Sequence, residues 1–204
     1  MPGGGLCRVE AVDAVELRSL AEVPRRPSPV KYSCSMLKPS PRQLKFLLGL
    51  FPPYVGSGIR LRHIAPDGSR VVTTHRPRRI NANLVGTAFG GTVQTMTDGF
   101  YLYMGLVRLG ASYNVWDVES HVTFLKPGRG TITADMRTDD ATFELIREKT
   151  ADGSKYLHWF TTDITDVDGD VVATVRSRVY FRLKQRYRTG TSPSRPDSCG
   201  QGSG

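Results

Sequence analysis

The chain has 204 residues, a hydrophobic fraction of 39% and a formal net charge of +9. This length suits one domain of ordinary size. No run of eighteen apolar residues offers a membrane span, and the N-terminus lacks the charged-then-apolar layout of a secretory signal. A soluble intracellular protein, cytoplasmic by default, is therefore expected; Glu10, Asp13, Glu16 and Glu22 disfavour an ordinary mitochondrial presequence, and organellar addressing stays open.

Cys7, Cys34 and Cys199 make neither a disulfide framework nor a metal-ligand spacing, and His63, His75, His121 and His158 are scattered singly. No metal or cofactor is expected. The positive charge is concentrated at the flanks: residues 24–45 and 176–195 carry six and seven basic residues respectively, with no acid. Solvated arms and a basic terminal strand are the plain reading. Nucleic acid, anionic lipid or a phosphorylated ligand are the alternatives. No interleaving of aromatic and basic residues makes a base-stacking platform, so nucleic acid ranks last.

Along the chain, residues 1–38 are rich in Gly, Pro, Ser and charge and read as a flexible arm, with a hint of helix over 9–20. Pro39 to Leu50 is the first firm element: Ser40 can cap, Pro41 suits the first helical position, and Leu44, Leu47, Leu48 and Phe51 form a stripe. Pro52-Pro53 is expected to end it. Gly58 to Ile64 and Ser69 to His75 flank an Asp-Gly turn and predict a hairpin. A basic loop, Arg76 to Arg79, leads to Asn83–Leu109. That stretch opens as a glycine-rich turn and continues as one helix apolar on nearly every side. Val93, Met96, Phe100, Tyr103 and Val107 recur on one face, with Leu102, Leu106 and Leu109 on another. Asp98 is placed by this pattern at or near the core, where an ionised carboxylate is costly without partners.

Asn114 to Leu125 alternates: Val115, Asp117, Glu119, His121, Thr123 and Leu125 fall on one side, Trp116, Val118, Ser120, Val122 and Phe124 on the other, and one face should be buried. A short strand over 130–137, a helix over 140–149 contacting the core through Phe143, Leu145 and Ile146, and a hairpin of 156–167 with 171–183 complete the domain, spanning 39–184. Residues 185–204 read as a polar tail. Strands grouped around a single helix indicate an α+β domain with an antiparallel sheet.

The segments KFLLGLFPPYVGSGI, NLVGTAFGG followed by Thr97-Asp98, NVWD and FLKPGRGTITAD resemble the hotdog-fold thioesterases of the PaaI type. They resemble more closely the thioesterase-like domains found at the C-terminus of YiiD proteins. The resemblance implies a curved antiparallel sheet wrapped around one long central helix. It also implies an acyl-CoA or acyl-carrier thioester substrate and an assembly of at least two subunits that share the site. PaaI-type enzymes have an Asn, a His-Gly-Gly turn, then an acid on the helix; Asn83, Gly90, Gly91 and Asp98 match, and Phe89 stands in place of the His.

By that carry-over Asp98 is the general base or nucleophile. Gly90 and Gly91 supply backbone N–H groups to the developing oxyanion, and Asn83 orients water or the substrate carbonyl. Thr87 and Phe89 are candidates to line the pocket. Arg76, Arg78, Arg79, Lys126 and Arg129 are candidates for CoA phosphates, being basic and near its expected edges. Asp98 lies about two turns from Gly90, roughly 12 Å along a helix, so the resemblance resolves the gap by facing the acid of one subunit to the glycine turn of another. Two other functions remain: a non-catalytic acyl or acyl-CoA binding module, favoured by Phe89, and a surface binder using the basic flanks.

Overall fold

The computed structural model describes residues 41–188. The arm over 1–38, its short helix, the three cysteines and the tail beyond 188 lie outside the described residues, as does the side chain of Leu44. The elements in chain order are α1 (Pro41–Gly49), α2 (Pro52–Ser57), β1 (Ile59–Ile64), β2 (Arg70–His75), α3 (Gly90–Thr95), α4 (Phe100–Leu109), β3 (Tyr113–Phe124), β4 (Ile132–Arg137), α5 (Asp140–Thr150), β5 (Tyr156–Thr165) and β6 (Val171–Leu183). The strands form one antiparallel sheet in the order β1-β2-β4-β5-β6-β3, leaving β1 and β3 as its edges. Among the described residues no helix is long and apolar enough to cross a membrane.

Two local expectations are corrected. Pro52 and Pro53 do not simply end α1; they open α2. A proline in the first helical turn gives up an N–H that has no partner there and arrives with φ already helical. The central helical segment is in two pieces, α3 and α4, separated by a turn over 96–99. Gly99 adopts φ +76 there, a conformation that costs glycine least and that a right-handed helix cannot contain. The apolar spacing runs on through the turn, so periodicity alone does not register the break. Asp98 sits in this turn and is exposed, not in the core.

α4 lies against the inner face of the sheet. An added Cβ at Gly105 would come within 2.8 Å of the Phe181 ring and 3.2 Å of Val115, so glycine sets how closely helix and sheet approach. Tyr101 stacks on Phe160 with centroids 4.3 Å apart, and its hydroxyl pairs with Thr162 Oγ1 at 2.6 Å. Met96 and Met104 are fully buried, and Thr73 Oγ1 donates to the Met96 carbonyl at 2.8 Å. Each large side chain buried here contributes about 1.5–3 kcal/mol. Leu106 and Val107, expected inside, are exposed.

α5 closes one end of this core with Phe143 and Ile146, both fully buried, while Leu145 points out. Its first turn is capped by Asp139, which accepts the Thr142 N–H at 2.7 Å, and Arg108 of α4 pairs with Asp140. Replacing Asp139 with alanine is expected to lower stability by about 1 kcal/mol. An unchanged urea midpoint would refute the cap assignment.

β3 differs from the simple alternation. Asp117 pairs with Val179 but Glu119 with Arg178, so Val118 is an extra residue in a bulge. Directly paired residues share a face. Val115 and Asp117 therefore lie on the helix side with Phe181 and Val179. Beyond the bulge it is Ser120, Val122 and Phe124 that do so, with Ser177, Val175 and Ala173. Trp116 faces outward and stacks on Tyr180 at 3.7 Å.

Candidate functional site

A cavity of about 450 Å³ opens between the start of α3, the turn before it, the end of β3 and the start of β6. Asn83 builds the turn. Its Oδ1 accepts from the N–H groups of Val85 (3.1 Å) and Thr87 (2.9 Å), and its Nδ2 donates to Thr87 Oγ1 (2.8 Å) and more weakly to the Ala88 carbonyl (3.4 Å). With donors and acceptor so engaged, Asn83 and the buried Thr87 fix the backbone that delivers Gly90. Gly90 lies under the Phe124 ring, where an added Cβ would come within 3.0 Å of it. Gly91 is covered by Phe89, whose ring would meet an added Cβ at 2.7 Å. The first N–H groups of α3 have no partner within the helix. At six residues α3 has little dipole to add, so the N–H groups themselves must act.

Lys126 lines this cavity, but its ammonium is gripped by Asp166 at 2.8 Å and Asp170 at 2.6 Å. Hydrogen bonds to Asp166 and then Asp170 hold its pKa above the usual lysine range. Arg79 and Arg129 are exposed and outside the cavity wall.

Asp98 does not line the cavity either. It sits at the α3–α4 turn in company the sequence did not single out. Tyr54 of α2 donates from its hydroxyl to the Asp98 backbone carbonyl at 3.3 Å; burial, and then the Asp98 carboxylate, push its pKa up to about 12. Asp117 reaches the same place from β3. Burial, and then the Asp98 charge, push its pKa up to about 6, with the Gly99 backbone N–H pulling the other way. Among the described residues the Asp98 carboxylate accepts no hydrogen bond. Two carboxylates, one open to solvent and one half-buried, thus meet at the N-terminal end of α4. Groups displaced toward neutral pH by burial and a like charge are the kind used as acids and bases. Asp117 was hidden in the sequence because its face of the strand could be judged only with the bulge in view.

The two halves of the expected site are therefore separate within one chain. Gly90, Asn83, Thr87 and Lys126 come together at the end of β3, with Phe89 and Gly91 beside them. Asp98 and Asp117 lie by its first half.

Several solved structures share this fold. A Pseudomonas aeruginosa protein of unknown function, described as a probable thioesterase, superposes with a TM-score of 0.61 at 21% identity, covering 72% of this chain and 98% of its own. A thioesterase from Haemophilus influenzae gives 0.53 at 13% identity, over 70% and 90% of the two chains. The E. coli PaaI protein from the phenylacetic acid degradation operon gives 0.50 at 16%, over 70% and 92%. Identities this low establish the architecture, the hotdog fold, and nothing about chemistry. No curated protein sequence matches. The model of one family, a domain of unknown function designated DUF4442, spans residues 41–181, and the chain belongs to that family.

Proposed function

We propose that the protein hydrolyses an acyl thioester carried by CoA or a carrier protein, in a site completed by two subunits. The observation that carries this reading is the placement of its two halves along one edge strand: the Asp98–Asp117 pair beside the first half of β3, and the Gly90 cavity beside the second. Two-fold antiparallel pairing of β3 with the same strand of a second copy sets the first half of each against the second half of the other. The acid of one subunit then faces the glycine turn of its partner. Such pairing would also satisfy an open strand edge and cover exposed apolar residues near the cavity, among them Phe89, Phe124 and Leu125.

In the reaction, Asp98 takes a proton from water as its oxygen attacks the thioester carbonyl. The carbonyl oxygen gains negative charge against the Gly90 and Gly91 N–H groups. Collapse of the intermediate breaks the C–S bond and releases thiolate and carboxylic acid. Asp117, close to Asp98 and half-buried, sets a second carboxylate beside the base, and burial and then the Asp98 charge hold its own pKa up to about 6. Asn83 positions the turn rather than the substrate.

The test is release of free thiol from short, long and aromatic acyl-CoAs. Turnover of at least one, with the chain eluting as a dimer or larger, is expected; no turnover across the panel would end the reading. A second reading, acyl binding without hydrolysis, is favoured by the ring of Phe89 over Gly91. It predicts thermal stabilisation by acyl-CoA with no thiol released.

A further inference from the structure

A second cleft, of about 260 Å³, lies where the β1–β2 hairpin meets α2 and the loop after β2. Arg60 and Arg62 reach it from β1, Arg76 and Arg78 from the loop. Among the described residues none of these four guanidinium groups is paired with a carboxylate. Arg70, Arg108, Arg137 and Arg178 all are. Arg62 donates to Thr74 Oγ1, at 2.9 Å. Lys45 adds a fifth cation nearby, donating to the Arg62 carbonyl at 2.8 Å. Like charges gathered without counter-charge repel one another, which a bound anion would relieve.

The cleft is also built. His75 lines it and is 1% exposed, yet among the described residues neither ring nitrogen has a hydrogen-bond partner. Burial pushes its pKa down; the backbone of Gly58 and Ser57, close by without hydrogen-bonding geometry, opposes this. The ring is then neutral, with one N–H to give and, among the described residues, no acceptor in hydrogen-bonding geometry to take it. A buried donor without a partner loses its hydration and gains nothing in return, and a ligand oxygen would remove that cost. The loop is fixed by Asn81, which accepts the Arg78 N–H at 2.6 Å and donates to the Ser57 carbonyl at 3.3 Å. Gly58, at φ +70, leaves the space that Asn81 fills: a Cβ there would lie 2.3 Å from its Nδ2.

We propose that this cleft binds the phosphates of an organic bisphosphate or diphosphate. Four guanidinium forks exceed what one phosphate can accept in bidentate pairs, so two phosphate groups are the better match. The exposed side chains of Ile80 and Val55 at the margin offer apolar contact to the rest of the molecule. Val55 follows Tyr54 on α2, and Tyr54 holds the Asp98 turn, so cleft and acid lie on either side of one short helix. Two sources share this chemistry: the nucleotide end of a thioester carrier and a free nucleoside diphosphate. Only the first rests on the thioesterase reading.

The test is calorimetric titration of the full chain with adenosine 3′,5′-bisphosphate, CoA, ADP and pantetheine. The phosphorylated compounds are expected to bind and pantetheine not to. The double variant R60Q/R78Q, altered only at exposed side chains, should weaken binding about tenfold or more with an unchanged melting curve. Preference for the 3′,5′-bisphosphate and CoA identifies the carrier end; preference for ADP identifies the free nucleotide. The proposal falls if no phosphate compound binds, if R60Q/R78Q binds as well as the parent, or if duplex nucleic acid or anionic vesicles bind while mononucleotides do not. The two readings fail separately. Bisphosphate binding without acyl-CoA turnover leaves the cleft and removes the hydrolase. Turnover with an unchanged KM in R60Q/R78Q, together with unchanged bisphosphate binding, does the reverse.

Discussion

Asp98→Asn is expected to lower kcat for thioester hydrolysis by about 10²–10⁴-fold, the range that a positioned general base contributes. The fold should tolerate it well. The side chain is exposed and accepts no hydrogen bond among the described residues, and surface changes of that kind stay within about 0.5 kcal/mol. Thiol release and thermal melting on the same preparations separate the two effects. A variant that keeps a kcat within about threefold of the parent would remove Asp98 from the chemistry. A variant that melts far below the parent would show that the turn needs the carboxylate for structure.

Asp117→Asn is expected to make the protein more stable at neutral pH and less active. The folded-state pKa of Asp117 is pushed from 3.8 up to about 6, by burial first and by Asp98 second. The folded form therefore holds this proton more tightly than the unfolded chain does. Its contribution to stability falls as pH rises from about 4 to about 6, and the full penalty persists above 6. At about 1.4 kcal/mol per pH unit the penalty is bounded near roughly 3 kcal/mol. Screening by water on the open side of this half-buried group reduces it to about 1–2 kcal/mol. Denaturant titrations at several pH values should show the variant gaining on the parent through that window and holding its lead at pH 8. A variant less stable than the parent at pH 8 would overturn the assignment. The rate of the parent should rise through pH about 6 as Asp117 sheds its proton, and that limb should be lost in the variant. Gaining stability while losing rate is the usual mark of a residue kept for function.

Most of the architecture was legible because it rests on local rules. The Asp67-Gly68 turn, the Asp168-Gly169-Asp170 turn and the alternation of the strands between them mark the hairpins, and helix and strand periods differ enough to be told apart. The glycine turn with Asn83 and Asp98 was legible by resemblance. What escaped depends on single residues or on distant ones. One left-handed glycine splits the central helix without disturbing its apolar spacing. Arg60, Arg62, Arg76 and Arg78 belong to separate segments, so their convergence with His75 needs the folded hairpin. Asp117 escaped because Asp98, the charge beside it, approaches from another element.

The extra residue at Val118 gives β3 two phases joined end to end. Were the same residues to run as one unbroken alternation, Asp117 and the pair Val122 and Phe124 would fall on opposite sides of the ribbon. Deleting Val118 would close the bulge and still leave Asp117, Ser120, Val122 and Phe124 facing one way. What the deletion would take away is the local bend and added twist that the extra residue gives the strand.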